Sequence, residues 1–346
     1  MAKKGRLVWI DITRAVCIVL ICLIHMRGVI YDSYILEKSF YFSVGFLLII
    51  SGYVTYKSTA EKGLVEAYLK AFYRFIEIVV LYVLASFIYI IYHDRQFDFP
   101  VFIKHLKDFS ASGPLYYFAF YLQYIIIGPL LVKIVKLCSS KNRNSWLNTL
   151  CFLAVTVVAT LCVLYTRIGN IFAGGNMVLG GTHLIVFYLG MLIACVETSL
   201  YKVLRHILVR ILLTVLTIGW GYAYAYGYLP FDRWFKKLWL GGTNPPGFSL
   251  IILASLAMLT CMAWFKGFNN HSGIWSPFIW IGQNTLFIFM FHILVMDILL
   301  DRAFIEQNIH FVWMKVLLLI VIIVSCALAE TGYKKLKHSI KRESVD

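Results

Sequence analysis

Leu7-Val-Trp-Ile-Asp-Ile-Thr-Arg-Ala-Val-Cys-Ile-Val-Leu-Ile-Cys-Leu-Ile-His-Met26 is the first long apolar stretch of the chain, and it carries three ionisable side chains. Arg14 and His25 lie eleven residues apart, about three helical turns at about 3.6 residues per turn, so they project from nearly one helix face. Along the axis they are separated by roughly 16 Å at about 1.5 Å per residue. Asp11 precedes Arg14 by one turn. Ionisable groups at membrane depth face a bundle interior or a wet cavity and mark functional sites. The spacing therefore asks for an extended polar ligand, held near Arg14 and acted on near His25.

The rest of the chain places this stretch in a membrane. Of 346 residues, 61% are hydrophobic and only 14% charged, with mean hydropathy +0.79. A soluble domain carries roughly a quarter charged residues. The expected fold class is all-α, a polytopic integral membrane protein with about ten transmembrane helices. They are read near 7–28, 40–56, 75–92, 114–132, 147–165, 182–196, 208–226, 247–265, 275–297 and 311–331. The spans at 40–56 and 182–196 are short, so they are expected to tilt little or to break. No internal repeat, low-complexity tract or linker separates parts of the chain. Residues 1–346 read as a single transmembrane domain without a soluble appendage. Asp11 and Arg14 interrupt what would be the apolar core of a signal peptide, so the first stretch reads as a retained span.

The net charge of +15 raises the question of nucleic acid. Placing the N-terminus in the cytoplasm puts 20 of the 32 Lys and Arg on inner segments, which makes the basicity a topology signal and puts both termini inside. Nucleic-acid binding is excluded on that distribution. Seven of the eight cysteines fall in apolar segments and Cys138 lies in a basic loop, so inert thiols are expected rather than a disulfide framework. No Cys/His cluster points to a metal.

An outer segment runs from Tyr92 to Gly113. A second, Gly227 to Gly247, carries Asp232-Arg233-Trp234-Phe235-Lys236-Lys237-Leu238-Trp239, read as an interfacial amphipathic stretch before a sugar platform. His292 near the outer half of the ninth span is balanced between lining an acceptor site and packing as a satisfied histidine. His183 reads as structural or interfacial, and Asn176 sits in a glycine-rich turn. Tyr116, Tyr117, Tyr121, Gln123 and Tyr124 read as packing. Glu330 is expected to pair with a nearby Lys. For Asp11 and Arg14, a purely structural i,i+3 pair is the alternative to a ligand site.

These residues carry a resemblance. Asp11-Ile-Thr-Arg14, followed after ten residues by His25, resembles the first span of the acyltransferase 3 family, membrane-bound acyltransferases that modify sugars and surface polymers. Later phrases are similar to that family's in order: Leu48-Ile-Ile-Ser-Gly-Tyr53, Pro114-Leu-Tyr-Tyr-Phe118 with Gly128-Pro-Leu130, Phe187-Tyr-Leu-Gly190, and Gly282-Gln-Asn-Thr-Leu286 through His292. The family's paired arginines before the third span are replaced here by Lys70 and Arg74 at a different spacing.

The resemblance implies transfer of an acetyl or other short acyl group from acyl-CoA, a co-substrate rather than a bound cofactor. The acceptor would be a hydroxyl of a surface polysaccharide or its lipid-linked sugar precursor, at a multi-pass cell membrane of bacterial type. His25 would be catalytic, Arg14, Arg74 and Lys70 would bind the donor, and Asp11 and His292 would support them. A glycan or lipid-linked sugar transporter or flippase is the alternative. It lacks its usual sequence sign, paired broken spans in matching halves.

Overall fold

Long apolar runs with few breakers leave one way to satisfy the backbone in lipid, the helix. The structure, a computed structural model, describes residues 7–139, 146–169, 178–229, 246–268, 273–299 and 311–343, without the side chains of 164–169 and 341–343. Among these residues every regular element is helical. They are α1 (Val8–Ile24), α2 (Tyr34–Phe40), α3 (Phe42–Thr59), α4 (Leu64–Asp94), α5 (Phe99–Asp108), α6 (Tyr116–Cys138), α7 (Trp146–Gly169), α8 (His183–Cys195), α9 (Glu197–Leu204), α10 (Ile207–Ala225), α11 (Phe248–Phe265), α12 (Ser276–Gln283), α13 (Thr285–Leu299) and α14 (Val312–Glu343). The expected all-α class holds. Asn176 and the Asp232–Trp239 stretch lie outside the described residues.

Seven of the described helices are long and apolar enough to cross a membrane, or up to nine if each of two bent pairs is one span. α2 and α3 run together over Tyr34–Thr59, so the short second span gains length at its N-terminal end. The short span at 182–196 is broken, as its length suggested, with α8 meeting α9 at 82°. The ninth span was read as continuous over 275–297 and is not. α12 and α13 meet at 78° around Asn284. Hydropathy cannot see such a bend, because both arms are apolar.

Contacts divide the chain into two compact units, Met1–Ser43 with Trp264–Asp346 and Val44–Ala263. In the first, α1 packs along α12 and α13, and α14 packs along α13. Gly282 makes this possible: a Cβ there would lie 1.8 Å from the Asp11 carbonyl oxygen. The crossing is capped by Val8, Ile12 and Ile279 with Phe265 and Trp275 at one end, and by Met26, Met296 and Ile322 elsewhere. In the second unit, α3 and α8 cross equally closely. A Cβ on Gly52 would meet the Phe187 oxygen at 1.9 Å, and one on Gly190 would meet the Ile49 oxygen at 2.0 Å. Helices in lipid approach by such small residues, because van der Waals packing must replace the hydrophobic drive.

A broken span leaves orphan N–H and C=O groups that water would otherwise satisfy. At the α12–α13 break, α14 supplies both partners. The Glu330 carboxylate accepts from Phe287 N at 2.9 Å in the first turn of α13. Lys334 donates to the Gln283 oxygen at 2.6 Å and to Asn284 Oδ1 at 3.1 Å, and pairs with Glu330 at 2.6 Å. The expectation that Glu330 pairs with a lysine thus holds, and the pair has a reason. At the α8–α9 break the buried Glu197, in the first turn of α9, pairs with Lys57 of α3. Glu330→Ala is expected to leave the Phe287 N–H unsatisfied, at about 1–3 kcal/mol. The melting temperature in detergent should fall, and fall by more than for Lys334→Met, whose side chain is half exposed. Equal melting of Glu330→Ala and wild type would refute the capping role.

Candidate active site

α1 owes its position to Gly282, and its buried face includes Asp11 and Thr13 among the apolar residues. Asp11 is 3% exposed, in the first turn, where a negative charge complements the helix dipole. Arg14 Nη1 lies 3.9 Å from Asp11 Oδ1, the predicted i,i+3 neighbour. That distance is a loose ion pair rather than a hydrogen bond. The Arg14 side chain keeps 29% exposure, so its guanidinium is not sealed into the core.

The helix ends where the chemistry was expected. His25 is the C-cap of α1, its backbone N–H turned back to Cys22 O at 3.1 Å. Beyond it the chain turns through Gly28 at φ +85°, with Gly28 N bonded to Tyr31 O at 2.8 Å. Tyr31 closes the turn by donating its hydroxyl to Leu23 O at 2.9 Å. Burial and then the Glu37 carboxylate push that hydroxyl up to about 12, so it remains a donor at physiological pH.

The ring of His25 faces His292 of α13, with centroids 5.1 Å apart and planes at 47°. His292 is 2% exposed. Its Nδ1 lies 2.9 Å from Ile288 O and 3.1 Å from Phe289 O. Two carbonyl acceptors make Nδ1 the protonated nitrogen and leave Nε2 with its lone pair. Nε2 is buried and has no hydrogen-bond partner among the described residues. An unmade bond of that kind costs about 1–3 kcal/mol and asks for an explanation.

A polar cluster after the turn at Gly28 carries no reading in the sequence. Glu37, on α2, binds Arg27 Nη1 at 2.6 Å and accepts from the Tyr41 hydroxyl at 2.7 Å. Arg27 and Lys38 both lie over the Tyr34 ring, at 5.3 and 4.5 Å. The available signal was an acidic residue between two spans of a chain that has only 17 Asp and Glu.

The other predicted donor residues, Lys70 and Arg74, stand one turn apart on α4 of the second unit, both exposed. Arg74 Nη1 lies 3.3 Å from Glu77 Oε2. The structure thus brings together His25 with His292 and Arg14 with Asp11, each pair within the first unit.

Tyr124, Gln123 and His183 make structural contacts. Tyr124 donates to Leu179 O at 2.7 Å and Gln123 accepts from Leu179 N at 2.8 Å. Together they hold a turn in which Leu179 has φ +50° and Gly180 φ +62°. His183 is buried, stacked on Phe120 at 4.3 Å, with Nδ1 2.9 Å from Gly180 O. All eight cysteines are free thiols, and Cys138 and Cys151 lie with their sulfurs 3.0 Å apart. Among the described residues no group of three His, Cys, Asp or Glu could hold a metal ion.

The acyltransferase 3 family profile, described as an acyltransferase domain, matches residues 7–330. The chain belongs to the acyltransferase 3 family. It is an acyltransferase with several membrane-spanning helices. No curated protein and no solved structure matches the chain. The matched range begins with the Arg14–His25 helix and ends at Glu330, the residue that caps the broken span of α12 and α13. Of the phrases that carried the resemblance, those at Gly52, Gly190 and Gly282 are the close helix crossings. In this acyltransferase they are sites of packing.

Proposed function

We propose that this acyltransferase moves an acetyl or other short acyl group from acyl-CoA to a hydroxyl of a cell-surface polysaccharide or its lipid-linked sugar precursor. One observation carries the reading. A histidine ends a helix that also bears Arg14 roughly 16 Å away along the axis, and it faces a second histidine, which is buried and whose Nε2 has no hydrogen-bond partner among the described residues. A sugar hydroxyl is a poor nucleophile at neutral pH. His25 takes its proton as it attacks the thioester carbonyl, a contribution of about 10²–10⁴-fold. The positive charge that develops on the ring belongs to the residue at the carbonyl end of α1, where the helix dipole favours a cation. Acylation of His25 followed by transfer is the covalent form of the same step.

Coenzyme A is long and carries phosphates. Arg14, oriented by Asp11, supplies charge-assisted contacts for them, and Arg74 and Lys70 on α4 are each a separate candidate for donor binding. If α1, 17 residues and about 25 Å long, crosses with the nine other spans, there are ten and both termini lie inside. In a bacterial cell membrane Arg14 then faces the cytoplasmic donor and His25 the outer side.

The test incubates membranes carrying the wild type or His25→Ala with radiolabelled acetyl-CoA and follows label into surface glycan. Label from wild type alone supports the proposal, and equal labelling by both removes His25 from the chemistry. No label from either favours a glycan transporter or flippase, a reading to which the two bent spans lend support, since discontinuous helices build transporter sites. Arg14→Lys is expected to raise KM for acetyl-CoA with kcat less affected, because a point charge cannot replace the planar fork. An unchanged KM would remove Arg14 from the donor site.

A further inference from the structure

We infer that His292 is a positioning residue for His25: its Nε2 accepts one ring N–H of His25 and leaves the other nitrogen bare to take the acceptor's proton. The inference rests on the acyl-transfer reading above and assigns the role of a second buried histidine within it.

Three observations carry it. The tautomer of His292 is set by its own helix, because Nδ1 donates to Ile288 O and Phe289 O, one and the same ring nitrogen serving both carbonyls. That leaves Nε2 as an acceptor, buried and without a partner among the described residues. The ring beside it is that of His25, at 5.1 Å and 47°. Two imidazoles joined edge to edge by one N–H···N bond have centroids about 5 Å apart, since each ring nitrogen lies about 1 Å from its centroid and the bond spans about 3 Å. The stacked alternative is seen elsewhere in this protein, where His183 lies 4.3 Å from Phe120 at 18°. The histidine pair is farther apart and tilted, as an edge contact is. His25 is only half buried, which leaves its ring room to turn toward that bond.

A histidine base is normally oriented by a hydrogen-bond acceptor on its far nitrogen, and a carboxylate is the familiar choice. A carboxylate inside a span is costly, whereas a neutral imidazole accepts the same bond without bringing charge into the bundle. In the reaction the acceptor's O–H bond breaks and its proton passes to the bare nitrogen of His25. The new C–O bond forms at the thioester carbonyl, the C–S bond breaks, and His25 returns the proton to the departing thiolate. His292 keeps its proton on Nδ1 throughout and accepts the hydrogen bond from His25, most strongly while that ring is cationic.

The test compares three forms with radiolabelled acetyl-CoA and the cell's own surface glycan. His292→Leu removes the acceptor and is expected to lower kcat roughly 10- to 100-fold, with KM for acetyl-CoA unchanged. His292→Gln places an amide oxygen near the position of Nε2 and is expected to recover most of the rate. In a His25→Ala background, His292→Leu should cause no further loss, because the two residues act as a unit. If His292→Leu is not recovered folded in detergent, His292→Met takes its place with the same expectation. Full activity of the Leu or Met form, or a Gln form as slow as either, overturns the inference. Wild-type membranes that transfer no acyl group overturn the proposed function itself, and this inference with it, whereas an active wild type beside an equally active Leu form overturns the inference alone.

Discussion

His25→Ala is expected to lower acyl transfer by about 10²–10⁴-fold, the contribution of a positioned general base, while leaving the helical fold intact. The two effects separate because of where the residue sits. Its structural work at the end of α1 is done by the backbone, whose N–H turns back to Cys22 O and is unaffected by truncating the side chain. The side chain is only half buried and packs against His292 rather than filling the apolar core around Met26, Met296 and Ile322. Kinetics and thermal melting in detergent should therefore disagree, with a large loss in rate beside a small change in stability. A variant that loses both together would mark His25 as a packing residue. Denaturing the wild type during turnover with labelled acetyl-CoA distinguishes the two catalytic routes. Label that stays with the protein and vanishes in His25→Ala identifies acyl-histidine, and label found only in glycan identifies direct transfer.

Gly282→Ala is expected to damage both stability and activity. The added Cβ would fall 1.8 Å from the Asp11 oxygen, 2.5 Å from its carbonyl carbon and 2.9 Å from its Cα. All three are backbone atoms, so no side chain can swing aside. α1 must separate from α12, and α1 carries Asp11, Arg14 and His25. Overpacking typically costs about 1–3 kcal/mol and more where the obstacle is rigid. The expected result is a lower yield of monodisperse protein in detergent, a lower melting temperature, and a loss of rate in whatever folds. Gly219→Ala is the control: it sits inside α10 with nothing within 4 Å of the added carbon. In water such a change gains about 0.5–1 kcal/mol of helix stability. Equal behaviour of the two variants would refute the close crossing at Gly282.

How much of the site could be read from the chain depends on how far apart its partners lie. Asp11, Arg14 and His25 occupy one helix, and helical periodicity alone puts Asp11 beside Arg14 and Arg14 in line with His25. The ion pair at 3.9 Å on α1 follows from that spacing. His292 stood evenly between two roles, because nothing local says which face of α13 meets α1. Glu37 is illegible for a similar reason, since it binds Arg27 across the turn after α1 and no periodic pattern links them. The glycines were recognised as parts of family phrases, but their work at helix crossings shows only when a Cβ is placed on each.

The sequence by itself determined the helical class, the membrane setting and the register of Arg14 with His25. Each depends on hydropathy and on the period of one helix, quantities carried by neighbouring residues. Tertiary structure alone decided the bend at Asn284, the capping of that bend by Glu330 and Lys334 from α14, and the meeting of His25 with His292. Those contacts join distant positions through helix packing. Lipid offers a broken helix no hydrogen bonds, so its orphan groups must find partners wherever the bundle brings them.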